Sequence, residues 1–243
     1  MTKYRTIWVS DTHLGSPGCQ AERLLDFLRQ TESDTLILVG DIIDFWALKR
    51  KSYWPESHNT VVQKVLKKAR HGTRVIYIPG NHDEYLREYL DHTFGNIEMH
   101  PEFIHTRANG ETMLCVHGDD FDVVTRYHRW VAVLGDIGYE TLLTANRYFN
   151  KVRAKFGLGY WSLSAYIKGK VKQAVSFIGE YEENVAKEAK DRGVDGVLCG
   201  HIHHAEIKTI DGILYVNTGD WVESCTAIVE QYDGTLELIR WST

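Results

Sequence analysis

Thr35-Leu36-Ile37-Leu38-Val39-Gly40-Asp41-Ile42-Ile43-Asp44 decides the fold. Its first half is continuously apolar rather than alternating, which suits a strand covered on both faces. The run then stops at a glycine and turns to carboxylates. The same grammar recurs along the chain. Ile7–Ser10 runs into Asp11-Thr12-His13, and Arg74–Ile78 into Gly80-Asn81-His82-Asp83. Met113–Val116 runs into His117-Gly118-Asp119, and Gly196–Leu198 into Gly200-His201-Ile202-His203. Helical spacing fills the early gaps, over Ala21–Gln30 (Leu24, Leu25, Phe27, Leu28) and over Val61–Ala69. A strand–helix–strand alternation predicts a largely parallel, layered α/β core. Leu214–Val216, Thr226–Gln231 and Leu236–Trp241 then follow in close succession, with Asp211-Gly212 and Asp233-Gly234 as turn signals, so hairpins are expected to complete the sheets.

The chain has 243 residues and a formal net charge of −5. That length suggests one large domain or two small ones, and single α/β domains often reach this size. The acidic balance speaks against a general nucleic-acid binder, which presents a basic surface. No apolar run reaches the roughly 18 residues of a membrane span. Met1–Arg5 leads directly into a strand pattern, without the apolar region and small-residue cleavage site of a secretory signal. Cys19, Cys115, Cys199 and Cys225 are widely separated. They read as small buried side chains in a reducing compartment, so a cytoplasmic location is expected.

Residues 121–178 break the pattern. They hold nine cations and three carboxylates, a net +6 that leaves the remainder at −11, and eleven of the 28 aromatics. Long amphipathic stretches run through Tyr127–Leu134, Tyr139–Phe156 and Leu163–Ile178, with no strand signal. The segment reads as a helical insertion between two core strands. Cations interleaved with aromatics suit an amphiphilic anionic ligand or an anionic membrane interface.

Five His/Asp/Asn clusters at strand ends can converge on one point, because sites in α/β sheets lie beyond the carboxyl ends of strands. In Asp11-x-His13 and His201-x-His203 the partners are two residues apart, which on extended backbone points them the same way. Gly40, Gly80, Gly118 and Gly200 allow sharp exits and close approach to a ligand. Oxygen and imidazole donors without thiolates suit manganese, iron or zinc. Each cluster alone has an ordinary explanation, such as turn chemistry or a structural histidine. Five in order, each after an apolar run, do not.

In this order the clusters resemble the calcineurin-like metallophosphoesterase superfamily, over residues 6 to about 220. The resemblance implies a four-layer α/β/β/α sandwich, a single domain over residues 1–243 with a helical lid inserted at about 121–178, and two divalent metal ions. By motif, Asp11, His13, Asp41 and His203 hold one ion. Asp41, Asn81, His117 and His201 hold the other, with Asp41 shared. His82 contacts the scissile phosphate or protonates the leaving group, and Asp44 and Asp83 orient the ligands. The implied reaction is metal-dependent hydrolysis at phosphorus. Chain length, motif spacing and an insertion after His117-Gly118-Asp119-Asp120 also resemble the UDP-2,3-diacylglucosamine hydrolases of lipid A synthesis. These cleave the pyrophosphate of a UDP-sugar lipid to lipid X and UMP, at the cytoplasmic face of the inner membrane. That resemblance implies a glycolipid phosphoester, peripheral membrane association, and substrate contacts from Arg126, Tyr127, Arg129, Arg147 and Arg153. Alternatives are a phosphodiesterase or phosphatase acting on another lipid, nucleotide or phosphoprotein, or a non-catalytic scaffold of the same fold. The presence of His82 and all seven expected ligands favours an enzyme.

Overall fold

A computed structural model describes residues 1–90, 92–121, 155 and 163–242. The chain forms two compact units, Met1–Phe121 with Asn184–Thr243, and Asp122–Glu183. The expected insertion overlaps the second unit, and most of it lies outside the described residues. A long helix spans Leu163–Asp191, beginning where the last amphipathic stretch was expected and running well past Ile178.

The first unit is built on two sheets. One has seven strands: β1 (Thr2–Val9), β2 (Thr31–Val39), β3 (Arg74–Ile78), β4 (Thr93–Phe94), β5 (Ile97–Met99), β11 (Thr226–Glu230) and β12 (Leu236–Arg240), in the order β12-β11-β1-β2-β3-β5-β4. The other has five: β6 (Phe103–Thr106), β7 (Thr112–Cys115), β8 (Gly196–Cys199), β9 (Glu206–Ile210) and β10 (Ile213–Asn217), in the order β6-β7-β8-β10-β9. β1, β2 and β3 are parallel neighbours, as are β7, β8 and β10. The hairpins close both sheets: β9 meets β10 across Asp211-Gly212, and β11 meets β12.

The faces explain the continuous apolar runs. Trp8, Ile37, Val39, Ile76 and Ile78 of the first sheet pack against Met113, Cys115, Leu198 and Val216 of the second, all fully buried. Residues of opposite parity, Ile7, Leu36, Leu38 and Val75, pack on Leu24, Phe27 and Leu28 of helix α1 (Ala21–Gln30) and on Val61, Val65 and Ala69 of helix α3 (Glu56–Arg70). Burying each such side chain contributes about 1.5–3 kcal/mol. β2 therefore needs apolar residues on both faces. The arrangement is a mixed α/β one of two sheets and helices. Of the cysteines, Cys115, Cys199 and Cys225 are buried as expected, while Cys19 is half-buried.

Because the central strands of both sheets run parallel, their carboxyl ends gather at one edge. Backbone bonds stitch those ends together: Asp11 N–H donates to Gly40 O (3.0 Å), Gly200 N–H to His117 O (3.1 Å) and Trp221 N–H to Asp11 O (3.0 Å).

Candidate metal centre

The loops that leave β1, β2 and β8 turn through the left-handed region. Asp11 and His13 have φ of 49°, Asp41 and His203 of 54°, and His201 of 67°. The pairs Asp11/His13 and His201/His203 are thus not on extended backbone, and strand alternation is not what aims them. Each side chain is aimed by a local reversal that costs roughly 1–3 kcal/mol and clusters at functional sites. Two glycines make room. A Cβ on Gly40 (φ 75°) would run into the His117 ring, and one on Gly200 into the Asp11 carboxylate and Ser10.

These turns bring the nominated side chains together in three groups, each with its ligand atoms within 4.8 Å: Asp11/His13/His203, His13/Asp41/His82 and Asp41/His117/His201. The two oxygens of Asp41 divide between them. Oδ1 lies 3.4 Å from His117 Nε2, whereas Oδ2 lies 3.8 Å from His13 Nε2 and 3.9 Å from His82 Nε2. His203 Nε2 stands 3.2 Å from Asp11 Oδ1 and 3.4 Å from His13 Nε2. Asn81 Oδ1 completes the other side, 3.3 Å from His117 Nε2.

The supporting contacts fix ring orientation. His13 and His82 donate through Nδ1 to the two oxygens of one carboxylate, Asp44, at 3.3 and 2.9 Å. His117 donates through Nδ1 to Val39 O at 3.0 Å. In each case Nε2 is left facing the centre. Asp83 holds a loop instead: its carboxylate accepts from Gly80 N–H (2.6 Å), Ile42 N–H (2.8 Å) and the Tyr77 hydroxyl (2.5 Å).

Electrostatically the centre calls for positive charge. Asp11, Asp41, Asp44, Asp83 and His117 are all buried. Burial would push the Asp41 carboxyl up, but facing His117, His13 and His82 hold it far below the ordinary carboxylate range. Burial would likewise push the histidines down. Asp41 and Asp11 outweigh it, raising His117 to about 10, and Asp11 with Asp220 and Asp41 raises His203 to about 9. The carboxylates thus draw protons onto imidazoles that a divalent cation would displace. Asp11 Oδ1 gives a second sign. It is buried and takes no aligned hydrogen bond, although imidazole nitrogens surround it. An orphaned buried anionic oxygen costs several kcal/mol unless a cation meets it. Donor chemistry, charge and this orphan all fit a metal ion.

Two features escaped the sequence reading. Asn217-Thr218-Gly219-Asp220 is a sixth polar cluster, at the end of β10. Asn217 Nδ2 donates to Gly200 O (2.8 Å), the Thr218 hydroxyl bonds to Ser10, and the Ser10 hydroxyl donates to Asp11. Its signal was of the same kind as that of the other five, an apolar run that ends in a polar cluster. The second is Trp46, whose ring centre lies 4.3 Å from that of His82 while its surface stays 41% exposed. Arg126, Tyr127, Arg129, Arg147 and Arg153 lie outside the described residues.

Comparison with known proteins agrees with this geometry. A family model described as calcineurin-like phosphoesterase matches residues 4–205. A UDP-2,3-diacylglucosamine hydrolase of Ralstonia nicotianae is 27% identical over 82% of this chain and 77% of its own length. Another protein of that name, from Porphyromonas gingivalis, is 28% identical over 46% of this chain. The match spans 45% of that relative's length. Among solved structures, a hypothetical protein from Pyrococcus horikoshii OT3 shares the fold at a TM-score of 0.51 and 10% identity, over 98% of this chain and 88% of that one.

Proposed function

We propose a pyrophosphate-linked, anionic glycolipid of the UDP-2,3-diacylglucosamine kind as the substrate of this chain, which belongs to the calcineurin-like phosphoesterase family and is a phosphoester hydrolase. The observation that carries the hydrolytic reading is the division of Asp41, one oxygen toward His117 and the other toward His13. A carboxylate placed this way can serve two cations at once. Asp11, His13, Asp41 and His203 would hold one, and Asp41, Asn81, His117 and His201 the other. Divalent ions there would supply Lewis acidity to phosphoryl oxygens and acidify water, with manganese, iron or zinc matching the donors.

His82 is left for the substrate. Asp44 fixes its Nδ1 side, so its Nε2 can donate to a phosphoryl or leaving-group oxygen. The glycolipid reading draws on the two curated relatives and on the cationic, aromatic-rich composition of residues 121–178. In that reading Arg126, Tyr127, Arg129, Arg147 and Arg153 contact the substrate, and the protein works at a membrane surface. No helix among the described residues is long and apolar enough to cross a membrane.

The test compares hydrolysis of UDP-2,3-diacylglucosamine with that of bis-p-nitrophenyl phosphate, for the wild type and His82→Ala. The lipid is expected to show the far larger kcat/KM. His82→Ala should lower kcat on both by ~10²–10⁴ with metal content retained. An enzyme that cleaves only the small ester overturns the substrate and leaves the hydrolase. Loss of metal in His82→Ala would make that residue a ligand.

A further inference from the structure

Seven of the ten exposed large apolar side chains among the described residues lie between positions 46 and 94. The densest part is the ten-residue stretch Phe45-Trp46-Ala47-Leu48-Lys49-Arg50-Lys51-Ser52-Tyr53-Trp54, with four aromatics, three cations and no carboxylate, in a chain of net charge −5. Helix α2 (Phe45–Arg50) buries none of its residues. Tyr53 and Trp54 are 36% and 40% exposed. They are held outward rather than loose, since each packs edge-on against buried His58 with ring centres 5.6 Å apart. Lys49, Arg50 and Lys51 are exposed, and among the described residues no carboxylate pairs with Arg50 or Lys51.

Both ends of the stretch are tied to the metal centre. Asp44, which orients His13 and His82, also accepts from Ala47 N–H (2.7 Å) and so caps α2. Beyond the stretch, His58 Nδ1 accepts from Gly15 N–H (2.9 Å), two residues past His13. The patch therefore stands beside the site in a fixed relation to it.

We propose that residues 45–54 form a docking surface for an anionic lipid bilayer, which presents the metal centre to phosphoesters carried in that bilayer. Amphipathic rings beside Lys and Arg tips are the composition of a segment lying at a headgroup interface. Anionic lipid would repel the acidic chain as a whole and attract it only where cations are local and unpaired, which sets the orientation of docking. The glycolipid reading supplies the purpose of this surface, and the inference rests on it to that extent.

Flotation of the full chain with phosphatidylcholine vesicles, with and without phosphatidylglycerol, reads binding independently of chemistry. The wild type should bind only the anionic vesicles and release at high salt. Arg50→Gln with Lys51→Gln should weaken partitioning by about tenfold or more. Tyr53→Ala with Trp54→Ala should weaken it at low salt, with the charge of the surface unchanged. Neither pair should change hydrolysis of bis-p-nitrophenyl phosphate, which also reports that the variants are folded. Absence of wild-type binding, or unchanged binding in both variants, overturns the surface. So does equal capture of the wild type by duplex RNA with no effect of the aromatic pair, which would mark a mere polyanion site. If vesicles bind as stated while UDP-2,3-diacylglucosamine is not cleaved, the docking surface stands and the substrate reading falls.

Discussion

Asp44 holds two imidazoles and one helix with a single carboxylate, and these tasks respond differently to substitution. Its Oδ1 meets both His82 Nδ1 and Ala47 N–H, while Oδ2 meets His13 Nδ1. Those three contacts outweigh the upward push of burial and keep the carboxyl well below its ordinary range. Asparagine caps helices about as well as aspartate, so Asp44→Asn should keep the cap of α2 and lose only what the charge contributes. It removes the charge and one acceptor, so the two rings lose their fixed tautomer and orientation. Losing such a partner typically costs 10–100-fold in metal affinity or activity. Asp44→Ala should add about 1 kcal/mol of instability from the lost cap. Steady-state kinetics and melting curves of the pair separate the roles. Full activity in Asp44→Asn would remove the orienting role.

At the scale of elements, legibility followed burial. α1 was expected over Ala21–Gln30 and lies there, because one face is uniformly apolar and buried. α3 was expected from Val61 and begins at Glu56, its first turn being polar and without periodicity. β9, at the sheet edge and only partly buried, and the short β4, β5 and β6 left no apolar run to read. α2 gave no periodic signal because it buries nothing; its mark was the cap at Asp44. The strand-end clusters were legible because ligand chemistry restricts residue type. The left-handed turns that aim them were not, since Asp and His at such positions carry no signal that glycine would. The joining of the two sheets at Glu230 was equally hidden. Its buried carboxylate accepts from Arg5 of β1 (2.6 Å), His105 of β6 (2.9 Å) and Ala108 N–H (2.7 Å). Burial pushes this acid up, yet His105, Ala108 and Arg5 together bring it to about 2. A folded-state pKa below the unfolded one contributes stability above the ordinary range near ~4.3, lost as pH falls from there toward the folded value. Glu230→Gln should cost about 1–3 kcal/mol at pH 7. The gap to the wild type should narrow as pH drops through ~4 toward about 2. Urea titrations across that range check it, and a constant gap would show that the charge of Glu230 contributes nothing.

For the whole molecule, the centre is a local debt of unfavourable terms that a cation would cancel. Five nominated ligands sit on left-handed backbone, and Asp11 Oδ1 is buried without an aligned donor. The parallel strands of both sheets impose this crowding, so it persists in the folded chain whether or not metal is bound. The unfolded chain has no such site. Metal that binds the folded state alone must then stabilise it, by ~2.7 kcal/mol at a hundred times the dissociation constant. In a chain of 243 residues that is a rise of roughly 5–10 °C in melting temperature over a chelated sample. Asp41 is the residue on which this response should turn, because its oxygens face both imidazole groups, whereas Asn81 faces only His117. Asp41→Ala should abolish most of the metal-dependent rise and Asn81→Ala only part of it. The chelated baseline of Asp41→Ala should lie below that of the wild type, since the facing imidazoles and the His82 N–H lose the carboxylate that pairs with them. Melting curves of the three proteins with manganese and with chelator test the whole scheme. Equal metal responses in Asp41→Ala and Asn81→Ala would mean that no single carboxylate is shared, and a wild type indifferent to chelation would mean that the centre is not built for metal.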